Sequence, residues 1–162
     1  MKKAVNSLLK FCEERQLTIS MAESMTCGLA AHQLNIVKGT SEVLMGSLVC
    51  YNEKVKTKLL GIKPSLIKKY TAESMQVTNE MVKSLGKLFE SDVYAAITGL
   101  ASAGASENHD KPVGTVFFAI KYKSKLWSMK KRFKGTPLEI KRKGCEELYR
   151  FMYTKLNETL NE

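Results

Sequence analysis

Val93-Tyr94-Ala95-Ala96-Ile97-Thr98 is an apolar run of strand length that stops at Gly99. A run this short, without polar alternation, reads as a strand covered on both faces, and such a strand needs a layer of helices on either side. The rest of the chain supplies both layers. Apolar residues at helical spacing predict helices over residues 3–15 (Val5, Leu8, Leu9 and Cys12 on one stripe), 27–35, 54–60 and 64–69. Longer helices follow over 74–89, with Val77, Met81, Leu85 and Leu88 inward, and 137–160, with Ile140, Leu148, Phe151, Met152, Leu156 and Leu160 inward. Extended segments are predicted at 17–22, at 43–51 (apolar, glycine-punctuated and read as a central strand), at 115–121 and at 126–133. A tight Lys123-Ser124-Lys125 turn joins the last two, and Gly39-Thr40-Ser41 reads as loop. Alternating helical and extended periods indicate an α/β fold. No linker, repeat or low-complexity tract interrupts the chain, so residues 1–162 are read as one domain.

Several function classes drop out on composition. No apolar run approaches the roughly 20 residues that span a bilayer, so no membrane association is expected. The basic N-terminus lacks an unbroken apolar segment, because Asn6, Ser7, Lys10, Glu13 and Glu14 interrupt it; it reads as an amphipathic helix rather than a secretion signal. Cys12, Cys27, Cys50 and Cys145 are widely separated, with no Cys-x-x-Cys, and His32 and His109 lie far apart. That spacing supports neither a metal site nor a disulfide framework, and the expected compartment is the reducing cytoplasm. The net charge of +10 is concentrated between Lys121 and Lys143. Aromatic residues are sparse there and no nucleic-acid motif accompanies the charges, so an exposed hairpin and helix face is the expectation and no nucleic-acid partner is assigned.

Three loops each follow a predicted strand, where ligands of open α/β sheets collect. In Ala22-Glu23-Ser24-Met25-Thr26-Cys27-Gly28, two hydroxyls and a glycine precede a helix. Ser24 or Thr26 suits an N-cap there, and a serine beside a base is equally a nucleophile. In Tyr51-Asn52-Glu53-Lys54-Val55-Lys56, a lysine serves as a base only if desolvation lowers its pKa; otherwise Lys56 is a surface residue of a helix. The third loop begins Thr98-Gly99-Leu100-Ala101-Ser102-Ala103-Gly104, small enough for backbone to approach a ligand, and ends Lys111-Pro112-Val113-Gly114-Thr115.

Taken together and in this order, the loops resemble the CinA C-terminal family. The family's Ala-Glu-Ser-Cys-Thr-Gly-Gly-Leu is similar to Ala22-Glu23-Ser24-Met25-Thr26-Cys27-Gly28-Leu29, and its Gly-Ser-Ser to Gly39-Thr40-Ser41. Its Tyr-Ser-Asn-Glu-x-Lys is similar to the segment from Tyr51 to Lys56, with the Asn-Glu pair shifted. Ile97-Thr98-Gly99 and Lys111-Pro112-Val113-Gly114-Thr115 match without change. The resemblance implies a three-layer α/β/α sandwich with a mostly parallel sheet. It also implies an amidohydrolase that deamidates nicotinamide mononucleotide, with no metal or other cofactor, working as a homodimer or larger assembly. On the matching positions, Ser24 is the nucleophile, Lys56 its base, and Tyr51 orients or relays. Backbone amides near Thr26 and Gly28, or Thr98 and Gly99, hold the oxyanion, and Lys111, Gly114 and Arg142 complete the substrate contacts.

The chain departs from the pattern at four places. Met25 and Cys27 stand where the family has Cys and Gly, and Cys27 reads as a small packing residue. Ser102-Ala103 replaces Gly-Pro, and Pro137 occupies a position that commonly carries a phosphate-gripping arginine, with Lys134, Lys141 and Arg142 as possible substitutes. These departures motivate the alternative of a non-catalytic relative that binds a nucleotide or a partner.

Overall fold

The computed structural model describes residues 2–161. Twelve elements follow in chain order: α1 (Lys2–Glu14), β1 (Ile19–Glu23), α2 (Leu29–Asn35), α3 (Thr40–Val43), β2 (Leu44–Val49), α4 (Glu53–Leu60), α5 (Pro64–Tyr70), α6 (Met75–Leu85), β3 (Val93–Gly99), β4 (Thr115–Tyr122), β5 (Lys125–Arg132) and α7 (Pro137–Leu160). The strands form one sheet in the order β2-β1-β3-β4-β5. β1 pairs in parallel with both β2 and β3, while β4 is antiparallel to β3 and to β5. Four strands therefore point one way and only β4 is reversed, as the short hairpin through Lys123 and Ser124 demands.

Side-chain alternation builds the three layers. Ile19 and Met21 of β1, Val93, Ala95 and Ile97 of β3, and Val116, Phe118 and Ile120 of β4 face one way, into a core shared with α1, α2 and α7. The intervening residues Ala22, Ala96 and Ala119 face α4, α5 and α6, joined by Leu60, Ile67, Val77, Met81 and Leu85. The sheet thus shows bulk to one helix layer and alanines to the other, which lets α6 lie close against the sheet. Each fully buried leucine, isoleucine or phenylalanine contributes about 1.5–3 kcal/mol. α7 begins with Pro137 in its first turn and a capping box: Thr136 Oγ1 accepts from the Glu139 amide, and the Glu139 carboxylate accepts from the Thr136 amide.

Four expectations need correction. The segment 43–51 is not central, because β2 is an edge strand with Met45 54% and Val49 41% exposed. Gly39-Thr40-Ser41 is not open loop: Gly39, at φ 95°, precedes the single turn α3, and the Thr40 hydroxyl donates toward the carbonyls of Leu34 and Val37. The helix predicted from 27 starts at Leu29, since Cys27 (φ 51°) and Gly28 (φ 91°) are both left-handed. The helix over 74–89 ends at Leu85, and Leu88 is 48% exposed instead of inward. At the far edge, β5 carries Lys125, Lys130, Lys131 and Arg132 exposed, charges that discourage edge-to-edge pairing.

After β1 the chain crosses to one side to make β2, then returns past β1 to make β3. The strand order therefore reverses at β1, and the crevice at its carboxyl end is where such a sheet accepts a ligand.

Candidate active site

Ser24 is the first residue after β1, at that crevice. Its amide donates to the Ile97 carbonyl of β3 (3.1 Å), and the Cys50 amide, just beyond β2, donates to the Glu23 carbonyl (2.8 Å). The residues that follow β1 and β2 are thus tied by backbone to β3 and to the end of β1. Asn52 then starts α4 by accepting the Lys54 amide, and one turn later Lys56 faces the crevice with its side chain fully buried.

Lys56 Nζ lies 2.9 Å from Ser24 Oγ, 2.7 Å from the Cys50 carbonyl oxygen and 3.0 Å from the Tyr51 carbonyl oxygen. Burial lowers the Lys56 pKa from its ordinary 10.5. The charges of Cys50, Glu73 and Glu53 oppose this shift, and burial pushes the Cys50 thiol up to about 11, so at neutral pH that thiol is uncharged. An amine has two N–H bonds and one lone pair. The ammonium form donates to all three oxygens, Ser24 Oγ included; once deprotonated, with both N–H groups donated to the carbonyls of Cys50 and Tyr51, the amine would turn its lone pair to the Ser24 hydroxyl proton.

Glu23, the last residue of β1, has no solvent exposure and, among the described residues, no cation bonded to it. Its Oε2 accepts from the Thr26 hydroxyl (2.7 Å) and the amides of Gly28 (3.0 Å) and Ala30 (3.0 Å). Its Oε1 accepts from the Ala31 amide (2.9 Å) and the Ser47 hydroxyl (3.0 Å). Five donors replace water around a buried carboxylate and hold the turn that carries Ser24. Sequence reasoning missed this residue, because backbone donors leave no motif beyond the glutamate itself.

The other predicted residues divide. Tyr51 lines the cleft, but the residue is 68% exposed; it meets Lys56 through its backbone carbonyl, and its hydroxyl has no hydrogen-bond partner among the described residues. Thr26 and Gly28 are committed to Glu23, so the Gly28 amide does not face an oxyanion, whereas the amides of Met25 and Thr26 carry no intramolecular hydrogen bond among the described residues. Thr98 is buried and shares a 2.8 Å hydrogen bond with Thr78, away from the cleft. Gly99 does line it, packed so closely that a Cβ would stand 2.7 Å from Met25 Sδ. Lys111 braces the third loop instead of facing Ser24: its amine contacts Thr71 Oγ1, the Glu73 carbonyl (3.2 Å) and Ser106 Oγ (2.8 Å). Gly114 is structural, at φ 92°, where a Cβ would fall 2.0 Å from the Phe133 carbonyl oxygen. Arg142 points outward, and Lys141 with Pro137 lines the cleft in its place. Cys27 is exposed, not a packing residue, and occupies a left-handed conformation that favours glycine. His32 and His109 are both exposed and outside the cleft.

The cleft over Ser24 encloses about 320 Å³, walled by Tyr51, Glu53, Glu73, Leu100 and Pro137. A groove of about 780 Å³ along α4 and α5 adjoins it, sharing Glu53, Glu73 and Ala105. At the groove rim Thr71 is held at φ 67°, a conformation that costs a β-branched residue about 1–3 kcal/mol. Among the described residues no cluster of three or more His, Cys, Asp or Glu side chains is arranged to hold a metal ion, and no helix is long and apolar enough to cross a membrane.

Comparison with known proteins gives a consistent likeness. A family model described as the CinA C-terminal domain matches residues 1–156. A CinA-like protein of Pseudothermotoga lettingae is 38% identical over 115 residues, which cover 70% of this chain and 28% of that protein. A CinA-like protein of Thermotoga neapolitana is 39% identical over 117 residues, covering 72% and 28%. The chain spans about a third of the length of the curated relatives it matches. Among solved structures, a competence-damaged protein (CinA) superfamily protein from Enterobacter cloacae superposes with a TM-score of 0.88 at 27% identity, covering 94% of this chain and 90% of that one. The CinA superfamily protein KP700603 from Klebsiella pneumoniae gives 0.91 at 22% identity, over 96% and 97%, a likeness of fold.

Proposed function

The chain belongs to the CinA C-terminal domain family, and from that premise we propose that it is an amidohydrolase that converts nicotinamide mononucleotide and water to nicotinate mononucleotide and ammonia. The observation that carries the reading is the buried Lys56 amine, 2.9 Å from the Ser24 hydroxyl at the carboxyl end of β1.

Ser24 Oγ attacks the carboxamide carbon while its proton passes to the Lys56 lone pair. The amides of Met25 and Thr26 are the unoccupied backbone donors nearest in sequence to the nucleophile, and they serve the developing oxyanion. When the tetrahedral intermediate collapses, the Lys56 ammonium gives its proton to the leaving nitrogen, which departs as ammonia and leaves an ester on Ser24. Lys56, neutral again, takes a proton from water; the hydroxide attacks the ester, and the proton returns to Ser24 Oγ as the acid leaves. Atoms balance as amide plus water to acid plus ammonia. Throughout, the carbonyls of Cys50 and Tyr51 keep the amine aimed. The Tyr51 ring, open at the mouth, covers a bound nicotinamide face instead of relaying protons.

The proposal extends to a cytoplasmic setting, consistent with four free thiols, and to self-association through the β2 edge, where Met45 and Val49 are exposed. Sedimentation of the purified protein reads the latter. The deciding experiment is ammonia release from nicotinamide mononucleotide by the wild-type chain and by Ser24→Ala. Turnover by the wild type and none by the variant supports the reading. Binding of the mononucleotide without hydrolysis transfers the chain to the non-catalytic alternative.

A further inference from the structure

The sheet ends at β5, which pairs with β4 alone and without a register shift from Tyr122 opposite Lys125 to Thr115 opposite Arg132. In an antiparallel ladder, residues alternate between bonding to the neighbour and turning N–H and C=O away from it. The Phe133 amide donates to the Gly114 carbonyl at 2.9 Å, which fixes the phase. Lys125, Trp127, Met129 and Lys131 therefore bond to β4, and the backbones of Leu126, Ser128, Lys130 and Arg132 point off the sheet. Among the described residues, no backbone partner meets them on that side. The side chains of β5 are exposed except for Trp127 and Met129, which are half-buried against the α7-side core. The strand carries four cations, Lys125, Lys130, Lys131 and Arg132, and no carboxylate. Only Lys131 is neutralised, by Glu147 at 2.8 Å. Lys130 donates to the uncharged Asp110 carbonyl, and Lys125 and Arg132 have no ion pair among the described residues.

Such an edge repels a second copy of itself, because no register of β5 against β5 brings a carboxylate to its cations. The same charges select an acidic chain. We propose that the β5 edge is a docking strand for an acidic, extended segment of another protein, which adds to the sheet beyond β5 by hydrogen bonding to Leu126, Ser128, Lys130 and Arg132. Carboxylates of that segment lie against Lys130, Lys131 and Arg132, and its apolar side chains lie against Trp127 and Met129. The outward row offers donors and acceptors in equal number. A peptide backbone satisfies both, whereas the phosphates of a nucleic acid accept without donating and leave the carbonyls unpaired. This surface is separate from the hydrolase reading, since no residue of β5 lines the Ser24 cleft.

The probe is the octapeptide Glu-Glu-Glu-Val-Thr-Val-Val-Glu, which runs antiparallel to β5 from a start opposite Arg132. Its binding is followed by amide hydrogen exchange of the nitrogen-labelled full chain. Saturable binding weakened by salt is expected, with the amides of Leu126, Ser128, Lys130 and Arg132 gaining protection while those of Trp127, Met129 and Lys131 keep theirs. The same peptide with glutamine for glutamate should bind at least about tenfold more weakly. Ser128→Pro removes an outward N–H and no bond to β4, so it should abolish the protection. Lys130→Gln/Arg132→Gln, which leaves the backbone untouched, should weaken binding at least about tenfold and keeps the test valid if the proline disturbs the strand. No binding at low salt overturns the proposal, as does protection confined to other segments. Equal affinity for a peptide methylated at every backbone nitrogen, which cannot form the ladder, overturns it too. Tighter binding of a thymidine octanucleotide than of the peptide assigns the edge to nucleic acid instead.

Discussion

Lys56 Nζ and Ser24 Oγ, 32 positions apart in the chain, meet at 2.9 Å in a buried contact. If this pair performs the chemistry, Ser24→Ala lowers kcat by at least about 10³-fold, with native stability changed little, since the hydroxyl alone is lost. Lys56→Gln removes the base and lowers kcat/KM by about 10²–10⁴-fold. Ammonia release measures both, and full turnover in either variant removes the dyad.

The lowered Lys56 pKa fixes a sign for pH dependence. In the hydrolase reading, kcat/KM climbs with pH as Lys56 loses its proton, along a limb centred below 10.5. Stability follows the same group. Between the folded pKa and 10.5 the unfolded chain holds the lysine proton and the folded chain does not, so unfolding free energy rises with pH across that window. Lys56→Met deletes this contribution, and urea unfolding at a series of alkaline pH values should show a shallower slope than the wild type. Identical slopes would mean that burial leaves the amine unperturbed.

Glu23→Gln tests the carboxylate beneath the Ser24 turn. Both carboxylate oxygens accept hydrogen bonds, so an amide NH₂ on either side faces donors and leaves at least two of them without an acceptor. A loss of about 2–4 kcal/mol by denaturant unfolding is expected. A variant within about 0.5 kcal/mol of wild type would show that the turn does not depend on the charge.

Two glycine replacements separate conformation from contact. At Gly61, φ 66° with open space around it, alanine should cost about 1 kcal/mol. At Gly114 a Cβ would enter the Phe133 backbone carbonyl, which cannot rotate away, and alanine should cost more than about 3 kcal/mol. Thermal unfolding of both variants ranks them; equal midpoints would contradict the close approach.

Thiol labelling under native conditions should modify one cysteine. Cys27 is exposed, whereas burial pushes Cys12 up to about 12, Cys50 up to about 11, and Cys145 higher still. One equivalent of maleimide is expected in the folded chain and four after denaturation. Rapid native modification of Cys50 would mean that the Lys56 pocket opens.

Much of this arrangement was legible in the sequence because chain-local signals coincide with it. The run from Val93 to Thr98 announced a buried strand, and Ser24 and Lys56 stand in recognisable segments just beyond β1 and β2. What escaped detection depends on relations between distant segments. An apolar run does not state its place in a sheet, so 43–51 read as central although the crossover sends it to an edge. Glu23 looks like any polar strand end until its backbone donors are assembled around it. Lys141 and Arg142 are adjacent in sequence yet about 100° apart around α7, a phase that only packing against the sheet fixes.

The parallel ladder between β1 and β2 has a further consequence. Ser24 hangs from the end of one strand, and the carbonyls that hold Lys56 follow the end of its neighbour, so the separation of Ser24 Oγ and Lys56 Nζ follows the inter-strand spacing. The wall formed by 100–106 and the first turn of α7 has no part in that spacing. Substitutions there can reshape the cleft mouth while Ser24 and Lys56 keep their separation, so the mouth and the buried pair are free to diverge independently as sequences drift.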